Sequence, residues 1–374
     1  MTDPSRTGSG PLPRQARDLK FRELAARLRE QVRDGSWPAG TRLPTEHELA
    51  DSSGTSVSTV RRAVDDLVTE GLVIRRQGSG TFVLAADDAA RAGSRALVGV
   101  IVPDTAFYFP TVLQGIEQAL SAAGARLLLS CSGYDPAREA RDLQDMLDAG
   151  VDGLLLVPTL GSGEAAERQL RRLAALPVPA VLVERRGLSL ADTNEYVCTN
   201  HEAGAYDAVR HLAALGHRSI GLVLREDSPT TEPVSHGFHQ AIGELGCTSD
   251  EFRAKREEWS PATAERCLEQ LRAAGATAAV CFGDRQATLL VTAAQRAGLS
   301  VPDDLALVAY DDEIADLAAV PLTAVAPPKQ LLGRTAADLL LRRIDQPGLS
   351  PHQILLRPAI TVRSSCGSLR TTPR

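Results

Sequence analysis

The sequence predicts a two-lobed α/β body built on parallel sheets, preceded by a small N-terminal domain of helices and one hairpin. Short apolar runs alternate with amphipathic helical patterns from Leu97 onward, which is typical of parallel strands covered by helices on both faces. These strands are too many for one compact sheet, and the pattern breaks near Leu188–Tyr196. Before Leu97 the spacing is helical and ends in a short hairpin pattern with glycines at its tip. We therefore expect two similar α/β lobes and a separate small domain.

Length and charge agree with this division. A chain of 374 residues is long enough for two or three domains. Residues 1–86 carry 13 Lys and Arg against 11 Asp and Glu, whereas the remaining residues carry 28 against 36. A basic end on an acidic body is consistent with attraction of nucleic acid by that end alone.

Six cysteines are scattered through the chain without a C-x-x-C pair. This spacing favours neither a zinc site nor a disulfide framework, and it is typical of a reducing compartment. The first eighteen residues lack the apolar stretch of a signal peptide, and no run of 18 apolar residues predicts a membrane span. We expect a cytoplasmic protein with no metal, no cofactor and no membrane contact.

The small domain is expected to span residues 19–84, after a disordered arm over residues 1–18. Apolar residues between Phe21 and Val32 share one face of a first helix. Trp37 is expected to pack beneath this domain rather than to bind a ligand.

Two further helices follow at close spacing. Thr45, with Glu48 three residues later, predicts a capping box at the start of a short helix that ends near Gly54. Ser56 is a good N-cap for the next helix, which is expected to run to Glu70. Two short helices joined by a tight turn, with Ser, Thr and Arg at the start of the second, predict helix-turn-helix geometry.

A hairpin follows the second of these helices. Its strands are predicted over Leu72–Arg76 and Thr81–Leu84, with Gly78 and Gly80 at the tip. A basic, glycine-tipped hairpin in this position indicates a wing that reaches an adjacent groove of DNA. The whole domain is therefore interpreted as a winged helix-turn-helix.

Residues 19 to 84 resemble the GntR family, through Leu43-Pro44-Thr45-Glu46, Thr59-Val60-Arg61-Arg62 and Gln77-Gly78-Ser79-Gly80-Thr81-Phe82-Val83. The resemblance implies binding to double-stranded operator DNA. The candidate contact residues lie on the two helices and the wing: Thr45, His47, Ser56, Ser58, Thr59, Arg61, Arg62, Arg76, Gln77, Gly78, Gly80 and Thr81.

Two positions depart from the family pattern. His47 and Val57 stand where the family usually has Arg, so the number of DNA contacts or the operator is expected to differ. Arg61 and Arg62 can alternatively be part of a solvated helix face. The surrounding motifs favour DNA contact over this alternative, more strongly for Arg61 than for Arg62.

After a linker over residues 85–96, strands and helices are predicted in alternation. Strands are predicted at Leu97–Val102, Ala125–Ser130, Gly153–Val157, Ala180–Val183, Ser219–Leu224, Ala278–Phe282 and Leu305–Ala309. Helices are predicted at Thr111–Ala123, Arg138–Ala149, Ala203–Leu215, Pro261–Ala274 and Ala287–Ala297. Ligands of such sheets bind at the carboxyl ends of the strands.

This body is similar to the LacI/GalR type of periplasmic-binding-protein-like sensor over residues 97–363. The similarity lies in short segments in family order: Val100–Asp104, Gly115–Glu117, Val151–Gly153, Leu215–Arg218, Val301–Asp304, Tyr310–Asp312 and Pro321–Thr323. A GntR-type head on such a sensor resembles the arabinose-repressor-like (AraR-like) regulators. The resemblance implies a first lobe of about residues 97–190 and 326–346 and a second lobe of about residues 191–325 and 347–363. A tail is expected over residues 364–374.

The same resemblance implies an effector site between the lobes. Its candidate residues are Tyr108, Phe109, Glu184, Arg185, Asp284 and Asp311. The two aromatic residues can alternatively be core at a lobe edge. Asp284 is expected to act first of all as the N-cap of the following helix, rather than as a ligand.

Several contacts expected from the family are missing. Val234 replaces an Arg three residues before Gly237, Gly283 replaces an Asn, and Pro327 replaces a Gln. The site is therefore expected to hold fewer polar anchors than a typical sugar site.

Other classes of protein fit the sequence less well. A pyridoxal-phosphate enzyme needs a Schiff-base lysine beside a phosphate site, and the chain has only Lys20, Lys255 and Lys329. A phosphate loop, a nucleophile elbow and an H-E-x-x-H motif are absent. We expect a homodimeric repressor that is not an enzyme and is controlled by a sugar or sugar derivative. The alternative is an activator or a corepressor-dependent regulator of a non-sugar metabolite.

Overall fold

The computed structural model describes residues 14–368 except residues 35, 39, 71, 77–79, 84–95 and 162. The chain divides into two compact units, Met1–Ala96 and Leu97–Arg374. None of the described helices is both long and apolar enough to cross a lipid bilayer. Most of the predicted linker, residues 85–95, and the end of the tail, residues 369–374, lie outside the described residues.

The described residues of the first unit form three helices and a two-stranded sheet. These are α1 (Arg14–Arg33), α2 (Glu46–Ser53), α3 (Val57–Thr69), β1 (Val73–Arg76) and β2 (Gly80–Val83). Helix α1 includes residues 14–18, which were expected to belong to a disordered arm. That expectation was wrong for these residues, because the segment from Arg14 to Lys20 contains neither Gly nor Pro and so extends the helix that Phe21 anchors in the core.

The caps predicted for α2 and α3 are present. Thr45 and Glu48 form the reciprocal capping box of α2, and Gly54 adopts the left-handed conformation that ends it. Ser56 caps α3 by accepting a hydrogen bond from the backbone of Thr59. One apolar core joins α1, α3 and the hairpin, and Trp37 packs against it.

The second unit is built on two six-stranded sheets. In the first sheet all neighbouring strands are parallel, in the order Gln353–Leu356 (β13), Glu195–Thr199 (β7), Ala180–Val183 (β6), Gly153–Leu156 (β5), Leu97–Val102 (β3) and Arg126–Cys131 (β4). The second has the order Ala359–Thr361 (β14), Thr323–Ala326 (β12), Ala306–Tyr310 (β11), Ala278–Cys281 (β10), Ser219–Arg225 (β8) and Thr248–Ala254 (β9). Only β14 in the second sheet is antiparallel to its neighbour.

Helices cover both faces of each sheet, as the continuous apolar strands predict. They are α4 (Tyr108–Ala122), α5 (Pro136–Asp148), α6 (Gly163–Ala174), α7 (His201–Ala214), α8 (Thr231–Glu244), α9 (Pro261–Ala273), α10 (Asp284–Arg296) and α11 (Lys329–Asp345). The faces of the sheets form four apolar cores, two in each lobe. The predicted architecture, a two-lobed parallel α/β body with an N-terminal winged helix-turn-helix, is confirmed.

Helices α4 and α11 approach each other so closely that only glycine fits at the crossing. A Cβ atom on Gly333 would lie 2.0 Å from the carbonyl oxygen of Val112, and one on Gly115 would lie 2.1 Å from that of Gln330. The first lobe therefore contains a helix that lies in the chain between two strands of the second sheet, β12 and β14, and that is held by backbone-to-backbone packing.

The division of strands between lobes differs from the expectation. Strands β7 and β13 fall in ranges assigned to the second lobe, but they pair with each other and β7 pairs with β6. Strand β7 was not predicted because it begins with the charged Glu195. The carboxylate of Glu195 is paired with Arg343. The chain thus crosses between lobes at Asn200, at Pro327-Pro328 and at Arg357-Pro358.

Candidate functional site

The N-terminal end of α3 exposes a cluster of hydroxyl groups. The Oγ atom of Ser56 lies 2.9 Å from Oγ of Ser58 and 2.8 Å from Oγ1 of Thr59. Ser56 and Ser58 are exposed, and so are Thr45 and His47 at the start of α2. The first turns of both helices therefore present polar side chains to solvent in the part of a helix-turn-helix that meets DNA.

Two arginines on this surface are held by acidic neighbours. Arg61 donates from Nε to Oε2 of Glu46 at 2.9 Å. Arg75, on β1, lies 3.2 Å from the other oxygen of Glu46 and 2.5 Å from Asp65. Sequence reasoning singled out Arg61 but missed Arg75, although Arg75 belongs to the basic hairpin. These ion pairs fix the orientation of both guanidinium groups while leaving them largely exposed.

Arg62 and the wing differ from Arg61 in their surroundings. The guanidinium carbon of Arg62 lies 4.4 Å from the centre of the Phe21 ring, so Arg62 covers α1. In the wing, Arg76 pairs with Gly80 along the hairpin. Gly80 has a φ of +112°, and a Cβ there would lie 2.7 Å from Nε of Arg42. Gln77 and Gly78 lie outside the described residues, and Thr81 is half-buried in β2.

The second unit contains a cavity of about 180 Å³ between its lobes. It is lined by residues at the carboxyl ends of β3 and β6 in the first lobe and of β8, β10 and β11 in the second. All six candidate effector residues line it: Tyr108, Phe109, Glu184, Arg185, Asp284 and Asp311. The structure thus places them in one small-molecule-sized space.

Glu184 is buried and its carboxylate is fully engaged within the protein. It accepts hydrogen bonds from the hydroxyl of Tyr108 at 2.5 Å and from the backbone and hydroxyl of Thr199 at 2.9 and 3.0 Å. Nε2 of His201, from the second lobe, lies 3.2 Å from Oε1. Burial alone would raise the pKa of Glu184, but the neighbouring His201 and the hydrogen bonds hold the pKa at about 2.

Arg185 forms no ion pair with the carboxylate of Glu184. Its Nη1 atom donates to the backbone carbonyl of Glu184 at 2.7 Å, although only 8% of Arg185 is exposed. Within the described residues no carboxylate lies in ion-pair distance of this guanidinium. A buried, charged donor at a cavity wall is costly unless something in the cavity pairs with it.

The aromatic pair has divided roles. Phe109 is 3% exposed and belongs to a first-lobe core, while Tyr108 is half-buried and meets it edge-on. Phe107, which sequence reasoning missed, lines the same cavity and is 64% exposed. Its φ of +50° is unusual for an aromatic residue and directs the chain into α4.

Two carboxylates from the second lobe face the cavity. Burial raises the pKa of Asp311 to about 7, against the opposing charge of Lys329. Lys329 begins the first-lobe helix α11, donates to the backbone carbonyl of Asp311, and pairs with Glu313 at 2.6 Å. Asp311 itself adopts a φ of +85°, which only a tightly constrained turn maintains in a residue with a side chain.

Asp284 does not cap α10, contrary to the expectation drawn from the sequence. Gly283 is the N-cap residue and makes no side-chain cap. The carboxylate of Asp284 instead accepts from the backbone of Glu313 and Ile314 at 2.5 and 2.9 Å through Oδ2. Oδ1 is buried without a hydrogen-bond partner among the described residues, and burial raises the pKa of this group. The reason is tertiary: the turn after β11 brings two backbone N–H donors to the carboxylate of Asp284.

Several cavity residues were not found from the sequence, namely Phe107, Tyr134, His201, Arg225, Arg256, Gln286 and Tyr310. For Arg225 a signal was available, since it directly follows a predicted strand on the ligand-binding edge. Val234, where the family resemblance expects Arg, is buried and lines the cavity.

Comparisons with known proteins agree with both units. Residues 20–83 match the gntR family of bacterial regulatory proteins, and residues 209–366 match the periplasmic binding protein-like domain. The chain is 30% identical over 355 residues to the arabinose metabolism transcriptional repressor of Geobacillus stearothermophilus, covering 92% of this chain and 97% of that protein. It is 25% identical to the repressor of the same name from Halalkalibacterium halodurans, covering 95% and 98%.

Among solved structures, a LacI family transcriptional regulator from Enterococcus faecium with bound ribose is similar to the second unit. It is 26% identical with a TM-score of 0.60, covering 73% of this chain and 100% of that chain. These matches confirm the resemblances inferred from the sequence motifs.

Proposed function

Because the chain belongs to the family of transcriptional regulators that join a gntR-type DNA-binding domain to a periplasmic binding protein-like sensor, we propose that it is a repressor released from its operator by a sugar or sugar derivative. The sugar binds in the cavity between the lobes. The observation that carries this proposal is the placement of Arg185 and Asp311, at strand ends of different lobes, on the wall of one cavity.

The polar groups of the cavity suit a polyhydroxylated ligand. Arg185 offers donors from the first lobe, and Asp311 with the unpartnered Oδ1 of Asp284 offers acceptors from the second. A sugar hydroxyl both donates and accepts, so one ring can satisfy groups of both kinds. The exposed ring of Phe107 adds an apolar surface for a sugar face. The relatives named for arabinose metabolism and the structure holding ribose support a sugar as the first choice.

The switch follows from the positions of these groups. A ligand that contacts Arg185 and Asp311 together stabilises the closed arrangement of the lobes more than the open one. That difference in affinity is what shifts a two-state equilibrium. The three crossovers at Asn200, Pro327-Pro328 and Arg357-Pro358 are the segments about which the lobes move.

The DNA-binding unit spans about residues 19–84 in this proposal, and the sensor spans about residues 97–363. One such unit buries too little surface for specific affinity, so we propose a homodimer that reads two half-sites. Its partners are operator DNA and the effector, and it acts in the cytoplasm, where the DNA is. No catalytic step is part of this function.

Operator binding with and without sugars tests the proposal. A labelled DNA fragment from upstream of the protein's own coding sequence is titrated by fluorescence anisotropy, alone and with arabinose, ribose, xylose and derivatives of each. We expect tight binding by a dimer, verified by light scattering, and loss of affinity with one sugar or sugar derivative. A sugar that tightens binding would indicate a corepressor instead, and a monomer on DNA would contradict the assembly.

A further inference from the structure

Two arginines contact the carboxylate of Asp227 after the end of β8, Arg225 through its guanidinium and Arg256 through its backbone. Nε of Arg225 lies 3.2 Å from Oδ1 of Asp227, and the backbone N–H of Arg256 donates to the same oxygen at 3.2 Å. Both arginines line the cavity, and Asp227 is not among its lining residues. Because Arg256 contacts Asp227 through its backbone, its guanidinium brings to this end of the cavity a positive charge that Asp227 does not pair.

Arg225 is the more buried of the pair. Its side chain is 19% exposed and lies over the Phe282 ring at 5.2 Å. The Nε–H group is buried and lies within ion-pair distance of Asp227, but it makes no hydrogen bond within the described part of the chain. Burial lowers the pKa of Arg225, and the charge of Arg256 acts in the same direction, against the attraction of Asp227. This guanidinium therefore lacks part of the counter-charge that a buried cation requires.

The cluster reaches across to the first lobe. The guanidinium carbon of Arg256 lies 5.5 Å from the centre of the Tyr134 ring, and Tyr134 also lines the cavity. Arg256 is exposed to solvent, so its side chain can turn toward a ligand at little cost. An occupant of this end would thus contact both lobes, as Arg185 and Asp311 do elsewhere in the cavity.

Among the other carboxylates of the cavity, Asp311 attracts Arg225, whereas Glu184, Glu313 and Asp104 have partners of their own. Glu184 is engaged by Tyr108, Thr199 and His201, while Glu313 is paired with Lys329. Asp104 accepts from the backbone of Ala106. The cavity therefore has an acceptor region around Asp311 and a cationic region around Arg225 and Arg256.

We propose that the effector is a sugar derivative bearing an anionic group, a carboxylate or a phosphate ester, which Arg225 and Arg256 hold while its hydroxyls face Asp311. This inference rests on the proposed function and specifies the chemistry of its ligand. Paired guanidinium groups match the planar, bidentate geometry of carboxylate and phosphate oxygens. A neutral sugar would leave the excess charge of this end unpaired in the closed cavity.

Matched probes test the inference by calorimetry on the full chain. For each of arabinose, ribose and glucose, the probes are the neutral sugar, its aldonate and its terminal phosphate ester. We expect at least one anionic probe to bind about tenfold tighter than its neutral parent or better. The carboxylate and phosphate arms tell the two kinds of anion apart.

Two variants and one control assign the effect to the cluster. Arg225→Met and Arg256→Gln should each lower the preference for the anionic probe by about 10- to 100-fold. The exposed Arg256 keeps the test valid if Arg225→Met folds poorly, which circular dichroism would reveal. Arg296→Gln, on the surface of α10 and paired with Glu265, should bind as the parent does.

Two results would overturn the inference. One is a neutral sugar that binds as tightly as both its anionic derivatives and releases the operator, which would leave the proposed function intact. The other is an equal loss of neutral and anionic binding in both variants, which would give the arginines a merely structural role. Failure of every probe to bind would overturn the proposed function as well.

Discussion

Nε2 of His201 lies 3.2 Å from Oε1 of Glu184 and so joins the first turn of a second-lobe helix to the end of a first-lobe strand. The same carboxylate accepts hydrogen bonds from Tyr108 and Thr199. Its pKa of about 2 keeps it ionised at neutral pH. Glu184 is therefore occupied in connecting the lobes, and the cavity groups left to hold an effector include Arg185 and the carboxylates and arginines of the second lobe.

We predict that Arg185→Ala and Asp311→Ala each abolish the effector response while operator affinity stays unchanged. Each variant removes a ligand contact on one lobe, so closure of the lobes is no longer stabilised by the ligand. Losing one partner of a charged hydrogen bond costs about 1.5–3 kcal/mol of effector binding. In a cell the result is a super-repressed phenotype.

Calorimetry and operator titration, run on the same preparations, check this prediction. Asp316→Ala is the control, because Asp316 is exposed and lies close to Asp311 in the chain without lining the cavity. Normal effector affinity in the Asp311→Ala protein would end the assignment of this residue to the site.

Effector binding should depend on pH around neutrality through Asp311. Because burial raises its pKa to about 7, half of the free protein carries this carboxyl protonated near pH 7. If the ionised form accepts from ligand hydroxyls, binding releases a proton, so affinity rises as pH increases through 7 and then levels off. The stability of the free protein changes with pH in the opposite direction. Because the folded pKa of Asp311 lies above its unfolded value, this group stabilises the fold at low pH. That contribution is lost as pH rises toward and through 7.

Calorimetry in buffers of different ionisation enthalpy measures the released proton directly. Asp311→Asn should remove the pH dependence. Proton uptake on binding, or a flat profile in the parent protein, would show that Asp311 binds the effector in its protonated form or not at all.

Arg61→Ala is predicted to weaken operator binding by about 1–3 kcal/mol if Arg61 makes a base contact. The side chain leaves the exposed face of α3 and is already oriented by Glu46. Fluorescence anisotropy with operator DNA measures the loss. Arg27→Ala, at an exposed position on α1 outside the helix-turn-helix, serves as the control and should lose much less. Equal affinity of parent and Arg61→Ala would contradict the assignment of this surface to DNA.

Gly333→Ala should destabilise the sensor by about 2 kcal/mol or more, because the new methyl group would overlap the backbone carbonyl of Val112. The matched control is Gly243→Ala in helix α8, where a Cβ meets nothing within 4 Å. That substitution should be neutral or stabilising, by about 0.5–1 kcal/mol, because alanine is the better helix former. Urea unfolding followed by circular dichroism compares the two. Similar midpoints for both variants would mean that α4 and α11 can separate without cost.

The sequence by itself predicted the local features of this protein. Thr45 and Glu48 identify a capping box, and Ser56 the start of α3, because caps depend on residues within three positions of each other. The apolar run at Ala180–Val183 identifies a buried strand to the residue. Continuous strands alternating with helices predict parallel sheets, and the carboxyl ends of those strands predict where Arg185 and Asp311 lie.

Only the tertiary structure decided which partners these residues have. Strands β7 and β13 pair across more than 150 positions of sequence, and each has only three consecutive apolar residues, too short a run to predict a strand. The carboxylate of Glu184 accepts a hydrogen bond from Tyr108, 76 positions away, and that of Asp284 accepts one from a turn 29 positions away. Capping and periodicity act over a few residues and can be read along the chain. Strand pairing, the desolvation of a carboxylate and the placement of Arg225 and Arg256 on one cavity wall depend on groups that folding brings together from distant segments.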